Sequence, residues 1–184
     1  MTPFWIRASG LTLLIGGVGW ALVGLIGGWL GAAALGLTPD QLRAAMHPFL
    51  ILLLLGLPGV YFGLRTGRSW LLLGGVVVTA VGLVLALLGS IGAFGLLGAG
   101  GDLSAEITLG VGTIVIGAGA LVVALGLIRQ GGTADWVPLL LAALGLAVIP
   151  ALIDARLAVL PGVAWAALGF TVWIAAGDAD SAPK

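Results

Sequence analysis

Charged side chains cut this chain into six long neutral stretches, residues 8–39, 44–64, 69–101, 107–128, 136–153 and 157–177. Apolar and polar positions do not alternate within them. Leu50 to Leu55 and Val76 to Val78 are apolar at every position, so any element they form is apolar on every face. A helix rises about 1.5 Å per residue and a bilayer core is about 30 Å thick, so each stretch can cross once, 136–153 only just. A membrane β-barrel would need roughly ten-residue segments of alternating polarity. The pattern therefore predicts an all-α integral membrane bundle of six transmembrane helices in one multi-pass domain. The expected spans are 11–35, 48–64, 70–94, 107–128, 136–153 and 157–176.

Local signals refine the ends of these spans. Gly89, Gly92, Gly95, Gly98, Gly100 and Gly101 crowd the end of the third stretch, and glycine at that density weakens a helix, so the third span is expected to stop near Phe94. Thr38, Pro39 and Gln41 read as a helix start, with a capping threonine, proline at the first helical position and a capping-box glutamine. A short amphipathic turn over Pro39 to His47 should therefore precede Pro48 and the second span. The apolar run from Leu11 to Leu35 exceeds the roughly 7–15 residues of a signal-peptide core, and it is retained as the first span.

Composition agrees with this reading. Of 184 residues, 61% are apolar and only 8% charged, and the mean hydropathy is +1.27. Seven Lys and Arg balance seven Asp and Glu, leaving no basic footprint for nucleic acid. With no cysteine, disulfides, iron–sulfur clusters and thiolate metal sites are excluded. Arg7, Arg65, Arg68, Arg129 and Lys184 fall on one side of the expected topology, and Arg43 and Arg156 on the other. The positive-inside rule then places both termini in the cytoplasm, and the composition suits a prokaryotic cytoplasmic membrane. Trp5, Trp70, Trp136 and Trp173 would mark the inner boundary and Trp29 the outer one, while Trp20 and Trp165 lie mid-span, facing lipid or a packing groove.

Leu-Pro-Gly-Val occurs at Leu57 to Val60 and again at Leu160 to Val163, and both Arg65 and Arg129 are followed by a span opening with tryptophan. These echoes suggest three helical hairpins in tandem, although a four-residue match among such common residues also arises by chance.

The search for chemistry mostly finds absences. No ionisable residue falls in the middle of a span, there is no asparagine, and both glutamines, Gln41 and Gln130, lie in loops. Hydroxyls within the spans, Thr12, Thr79, Ser90, Thr108, Thr113 and Thr171, can bond to their own helix. His47 is a single histidine beside Pro48. Six-coordinate haem requires two axial ligands and catalytic zinc commonly three, so a boundary role is preferred to a ligand role. Asp154 and Arg156 form the turn between spans five and six, where a hairpin anchor is preferred to a ligand-facing pair. Asp40, Asp102, Glu106 and Asp154 share the outer side without metal-site spacing. The glycine run 89–101 lacks the Lys-Ser/Thr of a phosphate loop. No catalytic, cofactor-binding or metal-ligating set emerges.

Packing gives the positive signal. Gly24 and Gly28, and Gly27 and Gly31, place small residues four apart on span one, while Gly112, Gly119 and Gly126 recur every seven along span four. Such stripes let helix backbones approach closely, making span four the expected centre of the bundle and Leu53 an expected outward site. The first functional expectation is a non-catalytic scaffold or accessory subunit. Its partners would be membrane lipids, and other membrane proteins or a second copy meeting the small-residue faces. The alternative is a small transporter or channel for an apolar or neutral solute, using helices broken at Pro58, Pro150 and Pro161.

Overall fold

The computed structural model describes residues 2–64, 69–91, 102–131 and 136–181. Arg65, Arg68, Lys184 and the glycine run from 92 to 101 lie outside these, as does the expected end of the third span. All regular structure among the described residues is helical. The main helices are α1 (Pro3–Leu25), α2 (Pro39–Ala45), α3 (His47–Leu64), α4 (Trp70–Ser90), α5 (Asp102–Gln130), α6 (Trp136–Ile153) and α7 (Val159–Ser181). Five segments are long and apolar enough to cross a membrane: Pro3–Leu30, Asp40–Leu64, Trp70–Ser90, Glu106–Gln130 and Arg156–Ala176. Trp136–Ala151 is apolar but shorter.

Helix ends follow their local chemistry. Pro3 starts α1 well ahead of Leu11, because proline suits the first turn and the polar Ser9 is accommodated in the bundle, buried against Gly59 of α3. Ile26–Leu30 continues α1 as a π-helix and ends at Gly31, whose φ of 76° is in the left-handed region glycine tolerates. The capping box at α2 is formed: Gln41 N donates to Thr38 Oγ1 at 3.2 Å, and Thr38 N donates to Gln41 Oε1 at 2.8 Å. Ser69 caps α4 by accepting from Leu72 N at 3.2 Å.

Packing divides the helices into two groups. In the first, α1 lies between α3 and α7; in the second, α5 lies between α4 and α6; the groups meet where α3 adjoins α4 and α6 adjoins α7. Each group has a seam of glycines seven residues apart. Gly10, Gly17 and Gly24 of α1 run antiparallel against Gly169, Gly162 and the start of α7. A Cβ on Gly10 would stand 2.6 Å from Trp173 N. Gly75 and Gly82 of α4 likewise face Gly119 and Gly112 of α5, and a Cβ on Gly75 would stand 2.6 Å from Val123 N. The seams are therefore backbone against backbone, a separation that only glycine allows.

These contacts revise three expectations. The stripe on α1 has a spacing of seven rather than four: Gly27 faces Leu42, Gly31 has open space around it, and Gly24 belongs to the Gly10 and Gly17 row. Leu53 is fully buried, because it fits the hollow at Gly16, while Leu55 two positions on is 60% exposed. A helix face that is apolar all round carries no polarity signal to orient it. The two Leu-Pro-Gly-Val strings are also not equivalent in place, since Pro58 lies inside α3 and Pro161 in the first turn of α7.

The outside of the bundle is apolar as well. Leu11, Ile15, Val18 and Leu22 form an exposed stripe along α1, and Ile107, Val111, Ile114 and Leu125 do so along α5. Contiguous apolar surface on this scale is not left to water in a soluble monomer.

Candidate functional site

Five of the six hydroxyls singled out in the sequence are bonded within their own helices. Thr79 donates to Gly75 O, Thr113 to Leu109 O and Thr171 to Ala167 O, each at 2.8 Å and four residues back. Thr12 donates to Ser9 O at 2.8 Å and Ser90 to Leu87 O at 2.7 Å, each three residues back. Their donor capacity is spent on backbone carbonyls, so they do not form a polar line through the interior.

Polar residues gather at one end of the bundle. Arg43 of α2 and Glu106 of α5 approach to 3.8 Å, with both side chains partly exposed, so the pair adds little stability. Asp154 caps the short 3-10 turn Ala155–Ala158 by accepting from Arg156 N at 2.9 Å. That contact is to the backbone rather than to the guanidinium, and it makes Asp154 a turn-former. Trp29, carried on the π-helix, donates its indole N–H to Arg156 O at 2.9 Å, tying the end of α1 to the α6–α7 turn. The sequence marks Trp29 only as a boundary residue, because a bond to a backbone 127 positions away leaves no local trace.

His47 opens α3 after the break at Met46, half-buried, and its Nε2 has no partner among the described residues. No group of three or more metal-ligating side chains occurs among the described residues. The arrangement brings Arg43 to Glu106 and Trp29 to Arg156.

Spaces open along the junction of the two helix groups. A groove of about 320 Å³ opens between α3 and α4, walled by Leu54, Pro58, Tyr61, Leu73, Val77 and Ala80. A second, of about 450 Å³, opens between α6 and α7, walled by Leu140, Ala143, Leu146, Pro150, Leu160 and Val163. Between them, at the centre, is a cavity of about 10 Å³ reached by Leu57 and Val60 from α3, Thr79 from α4, Val123 from α5, Leu141 from α6 and Trp165 from α7. Trp20 and Trp165 are both buried, at 7% and 1% exposure, so neither faces outward. Proline was the one sequence signal for the grooves, because each lies beside a helix that contains one.

Compared with known protein families, characterised proteins and solved structures, the chain has no significant match.

Proposed function

We propose that this chain is a six-span integral membrane protein of the prokaryotic cytoplasmic membrane, both termini cytoplasmic, acting as a non-catalytic scaffold or accessory subunit. The observation that carries the reading is the interior: two glycine seams in backbone contact, with span hydroxyls turned onto their own helices. Proton or cation passage draws on buried carboxylates, amides or freed carbonyls, and such an interior has little to offer it. The outer faces are where this protein has surface to give, and a helix of another membrane protein fits the proline-flanked grooves at α3–α4 and α6–α7. The shorter α6 crosses as the fifth span in chain order by lying against α5, where Gly145 and Gly117 meet.

A second reading, a transporter for an apolar or neutral solute, is favoured by one observation. The groups α7–α1–α3 and α4–α5–α6 each have a central helix, and antiparallel neighbours run in opposite senses between the groups, with the grooves at their junction. Paired units of opposite sense are a common transporter plan. Reconstitution into liposomes separates the two readings. The scaffold reading expects fluxes of protons, Na⁺, K⁺ and a neutral solute such as glycerol equal to those of empty liposomes. Flux that is lost on substituting Pro58 or Pro150 would replace it with the transporter.

A further inference from the structure

Two of the residues that line the central cavity, Trp165 and Thr79, carry an unmatched donor and a receptive acceptor. Trp165 is 1% exposed, and its indole N–H meets no acceptor among the described residues. Leaving a buried N–H unsatisfied costs about 1–3 kcal/mol, and the aliphatic walls at Leu57, Val60, Val123 and Leu141 offer it nothing. Thr79 lines the same cavity and is 2% exposed. Its hydroxyl proton is committed to Gly75 O at 2.8 Å, which leaves the lone pairs of Oγ1 free to accept. An indole N–H can only donate, and here the hydroxyl can only accept. A water molecule does both. The cavity volume of about 10 Å³ is close to what one water occupies and too small for any organic solute.

We propose that this cavity is a hydration site: one water accepts from Trp165 Nε1 and donates to Thr79 Oγ1. The water links α7 of one helix group to α4 of the other, and the remaining residues that line the cavity are aliphatic. It thus supplies a directional tie inside a junction whose other cavity-lining contacts are non-directional packing.

The test uses the full-length protein in detergent micelles with ¹⁵N-labelled tryptophan, which gives one indole resonance for each of seven tryptophans. Trp165→Phe removes one resonance and so assigns it. Should that variant fail to accumulate, the other six Trp→Phe substitutions assign it by elimination. The expected result is a cross-relaxation peak from the Trp165 indole proton to a bound water. Thr79→Ser should keep that peak and Thr79→Ala should lose it, with a shift of the indole resonance. Absence of a water peak in the wild-type protein overturns the proposal. So does a peak that survives Thr79→Ala unchanged, or an indole that responds to Thr79→Ala without ever showing water, which would mean a direct Trp165–Thr79 bond.

Discussion

Replacing Gly119 by alanine puts the α4–α5 seam under a defined load. The added Cβ would stand 2.5 Å from Thr79 N and 2.9 Å from Thr79 Cα, where ordinary contact begins at 3.4 Å. The Thr79 hydroxyl oxygen stands closer still, and even if that side chain turned aside the backbone atoms behind it could not, so the helices must part by about 1 Å locally. Overpacking of this kind costs roughly 1–3 kcal/mol, and the helix-propensity gain of alanine over glycine offsets about 1 kcal/mol of it. Separation at Gly119 also loosens the contacts at Gly112 and Gly126 on the same face, so the expected net loss is about 1–2 kcal/mol. Gly110, on the same helix, has nothing within 4 Å. Alanine there keeps the propensity gain alone and should stabilise by up to about 1 kcal/mol. Thermal melts in one detergent compare the two variants with wild type, and Gly119→Leu extends the series with a larger drop. A Gly119→Ala protein that melts at or above wild type would refute the seam, and so would equal losses at both positions.

Two further outcomes are expected. Leu53→Ala should cost about 2 kcal/mol or more by leaving a hole against Gly16, whereas Leu55→Ala, on the exposed face, should cost far less; similar melting temperatures would show that α3 is rotated from the orientation described. For the proposed topology, single cysteines interfere with nothing native, because the chain has none. A membrane-impermeant thiol reagent on intact cells should label cysteines at Asp102 or Asp154 but not at Arg68 or Arg129. The reverse pattern would invert the orientation, and labelling at both Arg68 and Asp102 would break the span count.

The apolar, all-helical character of this protein, with several helices long enough to cross a membrane, was determined by sequence alone. Transfer of apolar side chains out of water is a property of composition along a segment, and it needs no knowledge of neighbours. Helix starts were legible for the same reason, as Thr38 and Gln41 show, because a capping box is complete within four residues. The Gly112, Gly119 and Gly126 row was legible as a close-packing face, since a seven-residue repeat returns to one side of a helix.

Facing and partnership required the tertiary structure. In α3 nearly every position is apolar, so nothing in the pattern separates buried Leu53 from exposed Leu55; the hollow left by Gly16 on another helix does. The pairing of the first helix with the last is invisible to local pattern for a related reason. Gly10, Gly17 and Gly24 become a seam only opposite Gly162 and Gly169, some 150 residues away. The cavity between Thr79 and Trp165 also exists only in the assembled bundle. Each residue alone reads as an unremarkable mid-helix side chain, and it is the convergence of five helices that brings Trp165, whose indole N–H has no partner among the described residues, and Thr79 to one cavity.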